Sequence, residues 1–86
     1  MAILNVYAWN RCPHCHAATA WLKERGVPFV YHEIEEQSPE VIAEVIKVNG
    51  GDDWVVPTFE YNGLWRPGEI FDPNKLERDL AAWGAI

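Results

Sequence analysis

The sequence predicts an α/β fold: a four-stranded mixed sheet flanked by three helices, in the order β-α-β-α-β-β-α. Three observations predict it. Short runs rich in β-branched and aromatic residues alternate with segments whose apolar residues recur every three or four positions. Ser38-Pro39 and Asp72-Pro73 each pair a capping side chain with a proline suited to the first helical position. Asn62-Gly63 is the dipeptide that a two-residue hairpin turn prefers. With 86 residues the chain holds a single core, so one domain is expected over residues 1–86.

Ile3 to Trp9 is apolar on both faces except at Asn5, which suits a central strand covered on two sides. Pro13 to Arg25 are good helix formers, with Cys15, Ala18 and Leu22 at spacings of three and four; Gly26 supplies the end and Pro28 forbids continuation. Phe29 to Ile34 returns to strand chemistry, and His32 and Glu33 mark a more exposed strand. Behind Ser38, the residues Val41, Ile42, Val45, Ile46 and Val48 form an apolar stripe that Asn49-Gly50-Gly51 stops. Trp54 to Tyr61 has strand composition broken by Pro57 and forms a hairpin with a fourth strand. Behind Asp72, one stripe of Leu76, Leu80 and Trp83 defines the last helix. The first two strands, separated by a helix, should be parallel neighbours joined by a right-handed crossover, and the last two antiparallel. No repeat, low-complexity stretch or flexible linker interrupts this order.

An apolar fraction of 49% and a charged fraction of 23% exclude a disordered or fibrous chain. Thirteen acidic against seven basic residues leave a net charge of −6, which repels phosphate backbones and anionic lipid heads, so neither nucleic acid nor a membrane is an expected partner. No apolar run approaches the roughly 20 residues of a membrane span. The N-terminus lacks the order of a signal peptide, and a cytoplasmic location is expected.

The only cysteines are Cys12 and Cys15. A bridge between them closes so short a loop that it removes little entropy from the unfolded chain, so the pair points to chemistry rather than to a staple. Cys12-Pro13-His14-Cys15 follows a predicted strand and opens a predicted helix, which sets Cys12 beside unpaired backbone N–H groups and the positive end of the helix dipole. Such a site favours thiolate over thiol, and Arg11 and His14 can add to it. Cys15, one turn into the helix, is expected to keep its proton and to resolve a mixed disulfide formed at Cys12.

Rival readings use the same residues. An inert structural pair needs no strand-to-helix turn. Zinc would need ligands from His14, His16 and His32, but the second histidine of a finger spacing is absent, so no metal is expected. Cys12 to His16 also satisfies the C-x-x-C-H pattern of covalent haem attachment, with His16 as axial ligand and Met1 as the only methionine for the other side.

Taken together, these residues resemble the glutaredoxin family and its thioredoxin fold over nearly the whole chain: CPHC at 12–15 after the first strand, VPTF at 56–59 opening the third, and Asn62-Gly63 at the hairpin. VNGG at 48–51 ahead of VPTF is most similar to the small mycoredoxin-like redoxins of actinobacteria. The resemblance implies a thiol-disulfide oxidoreductase with Cys12 as nucleophile and Cys15 as resolving thiol. It further implies a cis Pro57 facing the disulfide and a Val56 backbone that pairs with substrate. Implied partners are disulfide-containing proteins or mixed disulfides, with glutathione, mycothiol or a thioredoxin-type reductase as electron donor. No bound cofactor is implied, and a monomer is expected. The non-enzymatic alternative is a binding module that holds an iron-sulfur cluster between two copies, or carries haem, on the same cysteines.

Departures from the family pattern are specific. Typical glutathione-dependent members carry a lysine or arginine where this chain has Trp9, leaving Arg11 as the nearest cation, and many carry threonine where it has Val55. Their G-G-D segment is replaced by Pro67-Gly68-Glu69, so Gly68 is the one glycine left to approach a ligand and Glu69 would oppose a like charge in the groove. Weak glutathione binding is therefore expected. Phe71 to Leu80 is also similar to redoxins that take electrons from thioredoxin reductase. His14 is expected either to support the Cys12 thiolate by a hydrogen bond or charge, or to point to solvent. Trp21 and Trp83 read as core; Trp9 and Trp65 are core or apolar walls beside the cysteines. Glu33, Glu35 and Glu36 read as a solvated strand end, and His16 as a helix-surface residue.

Overall fold

Prolines behind capping side chains start all three helices of the computed structural model, which describes residues 2–86. The elements are β1 (Leu4–Ala8), α1 (Pro13–Glu24), β2 (Phe29–Glu33), a 3₁₀ turn (Ile34–Glu36), α2 (Pro39–Val48), β3 (Thr58–Tyr61), β4 (Leu64–Arg66) and α3 (Pro73–Trp83). Each proline brings a pre-set φ and lacks an N–H that the first turn could not satisfy. The caps satisfy the next donors: Ser38 Oγ accepts from Val41 N at 3.3 Å, and Asp72 Oδ1 accepts from Asn74 N and Lys75 N at 3.0 and 3.2 Å. Gly84, at φ 77°, closes α3 in the left-handed region.

The strands lie in the order β2-β1-β3-β4, with β1 and β2 parallel and the other two pairs antiparallel. The predicted order and mixed pairing are both present. Asn62 and Gly63, at φ 52° and 85°, make the tight turn between β3 and β4. One sheet face presents Leu4, Val6, Ala8 and Phe59 to Ala18, Trp21 and Leu22 of α1 and to Leu76 and Leu80 of α3, forming the main core. Trp21 is buried in it, and Trp83 packs half-buried at its edge.

The other face corrects the expectation of an apolar strand covered on both sides. Asn5 Nδ2 donates to Glu60 Oε1 at 2.7 Å, and His32 Nε2 donates to Asn5 Oδ1 at 2.8 Å. Tyr7 stacks between His32 at 4.7 Å and Trp65 at 5.7 Å. A polar and aromatic row thus crosses the sheet, and Trp65 takes the packing alternative there. The strands are also shorter than their composition suggests. Ile3 is 45% exposed outside β1, and fully buried Ile34 falls in the 3₁₀ turn. Residues 54–57 stay outside β3 because Pro57 has no N–H to give a ladder.

His32 links this row to pH. Burial pushes its pKa below the usual 6.5, against the pull of the Glu60 charge. Below 6.5 the unfolded chain takes up a proton that the folded chain resists, so this contribution is present above 6.5 and is lost as pH falls below it. In urea unfolding between about pH 7 and 5, His32→Gln should lose less stability than the wild type.

Candidate functional site

At the C-terminal end of β1 the chain leaves the sheet and turns back, with Cys12 N donating to Trp9 O at 3.1 Å. That turn makes Cys12 the N-cap of α1: its Sγ accepts the Cys15 N–H at 3.2 Å, in the position where Ser38 and Asp72 use oxygen. Pro13 fills the first helical position. Cys12 is half-buried and its thiol faces the Val56 carbonyl at 3.9 Å, whereas Cys15 is 1% exposed and belongs to the core cluster. Both are free thiols.

The two sulfurs differ in chemistry as well as exposure. Burial, foremost, pushes the Cys15 thiol up to about 12; the neighbouring Cys12 and the Glu33 charge add to this, and the Trp9 backbone opposes it. Cys15 therefore holds its proton at neutral pH. The result is an accessible sulfur at a helix start with a protonated thiol one turn behind it.

The segment facing Cys12 is built by Val55, Val56 and Pro57. The Val56-Pro57 bond is cis, as the resemblance implied, and Pro57 is buried. Thr58 Oγ1 donates to Val55 O at 2.6 Å. Asn49, the residue that ends α2, donates from Nδ2 to Thr58 Oγ1 at 2.9 Å and to Val45 O at 2.8 Å. Its Oδ1 accepts the Gly68 N–H at 2.8 Å. One side chain thus joins the end of α2, the start of β3 and the β4–α3 loop.

The Glutaredoxin family pattern matches residues 4–62, a span that contains both the CPHC turn and the cis proline. The chain belongs to the glutaredoxin family. Its structure is similar to that of the glutaredoxin of Archaeoglobus fulgidus, with TM-score 0.70 and 28% identity over 91% of this chain and 85% of that one. It also shares its fold with the dithiolic glutaredoxin of Trypanosoma brucei brucei, with TM-score 0.63 and 24% identity over 95% and 79% of the two chains. No curated protein matches the chain significantly. The mixed sheet with its three helices is accordingly a thioredoxin fold.

Several residues of this glutaredoxin sit differently from expectation. His14 neither reaches the Cys12 sulfur nor points idly to solvent: its Nδ1 accepts the Phe71 N–H at 3.0 Å, because the β4–α3 loop brings an unpaired backbone donor to that ring. The proline that blocks a strand at 67 and the Asn49 anchor at Gly68 hold that loop close. Gly68 has its N–H engaged and its α-carbon against Val55, so packing, not ligand approach, explains the glycine. Glu69 is met by Lys75 Nζ and by Arg66 Nη2 at 3.8 Å, which neutralises the repulsion expected of it. Arg66 is itself buried, with Nε 2.8 Å from Asp79 Oδ2.

Trp9 does flank the turn. Its Nε1 donates to Glu35 Oε1 at 2.9 Å, its ring meets Trp54 edge-on at 6.3 Å, and the exposed Arg11 stands 6.0 Å from it. Trp54 was hidden by its placement in a predicted strand. In the acidic run Glu35 and Glu36 are exposed as expected, with Glu35 bonded to Trp9, whereas Glu33 is half-buried and its Oε1 accepts from Asn10 N at 2.9 Å and from the Tyr31 hydroxyl at 3.0 Å. His16 lies on the helix surface as read, with Nε2 donating to Asn10 O at 2.5 Å. Met1 lies outside the described residues. Among the described residues no three His, Cys, Asp or Glu side chains gather as a metal-holding group, and no helix is long and apolar enough to cross a membrane.

A Cβ at Gly68 would lie 2.5 Å from Val55 Cγ1 and 2.7 Å from the Val55 carbonyl carbon. Gly68→Ala should therefore cost about 1–3 kcal/mol in urea denaturation and slow disulfide turnover by moving the 55–57 segment. Unchanged stability and turnover would show that the two loops are not packed in this way.

Proposed function

We propose that this glutaredoxin is a thiol-disulfide oxidoreductase that reduces disulfides, or mixed disulfides with low-molecular-weight thiols, through a Cys12–Cys15 dithiol/disulfide cycle. The observation that carries the reading is the division between the sulfurs: Cys12 caps the helix at the surface, and Cys15 is buried and proton-bound. Cys12 attacks a substrate disulfide, expelling one thiol and forming a mixed disulfide. Cys15 then attacks Cys12, releases the second thiol and leaves an intramolecular disulfide for an outside reductant.

The Val56 carbonyl facing Cys12 supports docking of an extended substrate in the manner of an added strand, beside the exposed Val55 and the Trp9–Trp54 pair. This surround is apolar, with Arg11 as its exposed cation. It suits polypeptide disulfides better than a charged tripeptide, so glutathione is a weak ligand and mycothiol or a thioredoxin-type reductase the better electron source. In this reading the protein works as a monomer without bound cofactor, in the reducing cytoplasm, where reduced thiols persist.

Cys12→Ser should abolish turnover on every disulfide, while Cys15→Ser should retain it on small mixed disulfides and lose it on protein disulfides. Equal alkylation rates of the two single variants near neutral pH would overturn the assignment of roles. Supplying glutathione, mycothiol or thioredoxin reductase in turn to the same oxidised protein should give the slowest re-reduction with glutathione. A fastest rate with glutathione would show the Trp9 and Val55 departures to be neutral.

A further inference from the structure

Three segments meet around Cys12: the turn that carries it, the cis-proline segment at 55–57 and the β4–α3 loop at 67–72. Among the described residues no strand pairing joins any two of them. Side chains do so instead. Asn49 Oδ1 accepts the Gly68 N–H at 2.8 Å, and a Cβ at Gly68 would strike Val55, so the start of the loop is packed on the cis-proline segment. Three residues on, His14 Nδ1 accepts the Phe71 N–H at 3.0 Å, which ties the end of the loop to the cysteine turn. The direct link between turn and cis-proline segment is the 3.9 Å approach of Cys12 Sγ to Val56 O, a long contact from a weak donor. The loop is therefore the brace between the two.

We propose that His14 is a positioning residue that sets the separation of the Cys12 turn from the cis-proline segment, acting through the Phe71 N–H and not through charge on the sulfur. The proposal rests on the dithiol cycle above. The ring atom that is engaged decides between the two roles. An imidazole that accepts at Nδ1 carries its one proton at Nε2 and is neutral, so it brings no charge to Cys12 and has no Nδ1 proton to give it. Among the described residues the hydrogen bonds of the Cys12 sulfur are those with Cys15 N and Val56 O. A polypeptide that adds as a strand docks its backbone at Val56 and its sulfur at Cys12, so it needs these two at a fixed distance. Loss of the Phe71 bond frees one end of the brace and loosens that distance. The sulfur itself is untouched, because its cap bond and Pro13 lie within α1. The cost falls on the binding of polypeptide disulfides and not on the reactivity of the thiol.

The test compares the full chain as wild type, as His14→Asn, whose Oδ1 replaces Nδ1 as acceptor, and as His14→Phe, which keeps a ring but accepts nothing. Hydrogen exchange of the Phe71 amide, followed by NMR, should be as slow in His14→Asn as in the wild type and about tenfold faster in His14→Phe. With insulin as the polypeptide disulfide and dithiothreitol as reductant, His14→Phe should raise KM about five- to tenfold, the scale of one hydrogen bond, with kcat within about twofold. His14→Asn should keep the wild-type KM. The pH profile of Cys12 alkylation by iodoacetamide should be the same in all three proteins. A profile displaced to higher pH in His14→Phe would assign the ring to the sulfur and overturn the proposal. So would a His14→Asn KM as high as that of His14→Phe, or Phe71 exchange that is equally fast in all three. Insulin reduction by the wild type no faster than by dithiothreitol alone would instead overturn the dithiol cycle, and the exchange rates would still decide whether His14 holds the loop.

Discussion

The Asn49 side chain amide is the constraint on which the site depends. Both of its donors and its acceptor are engaged, with the last turn of α2, the hydroxyl of fully buried Thr58 and the backbone of Gly68. None of these three segments pairs with another through regular secondary structure at that point. Amides that satisfy several partners in a partly buried setting act cooperatively, and losing one strands the rest. Through Thr58 the same network reaches Val55, and through Gly68 it holds the loop whose Phe71 N–H engages His14. The position of the cis proline opposite Cys12 is therefore set from three directions.

Charge inside the fold is compensated locally. Buried Arg66 lies against Asp79 and over the Phe59 ring at 5.6 Å, joining β4 to α3. Glu69 shares Arg66 with Asp79 and takes Lys75 as well. Breaking one member of such a buried set would leave an uncompensated charge, a larger effect than any exposed pair contributes. The surplus of acid that gives the net charge of −6 stays outside these pairs and governs encounters with other molecules.

What could be read from the sequence was what short-range rules determine. Ser38-Pro39, Asp72-Pro73 and Cys12-Pro13 each announce a helix start from two adjacent residues, and Asn62-Gly63 announces its turn in the same way. The ends of strands were less legible, since Ile34 has strand composition yet is buried in a 3₁₀ turn, and Pro57 alone cannot say where β3 begins. At the site the cysteine pair was visible from spacing, and the cis bond only from the family resemblance. Glu33, Tyr31, Asn49 and Trp54 were not visible in their roles. Their partners lie across strand pairings or loop contacts, as with Phe71 and His14, 57 positions apart. A run of three glutamates reads as solvent-facing, and only the fold brings one of them to the Asn10 backbone and the Tyr31 hydroxyl.

Sulfur in the cap position of α1 has a consequence for how this protein can change. Oxygen side chains are the strong helix caps, and cysteine is not among the preferred ones. The residue best suited to stabilise this helix start is therefore the residue that would end its chemistry. Fold and function compete for a single atom, and selection for thermal robustness alone would remove the reactive group. Stability lost at Cys12 has to be recovered away from it, at positions that leave the sulfur untouched.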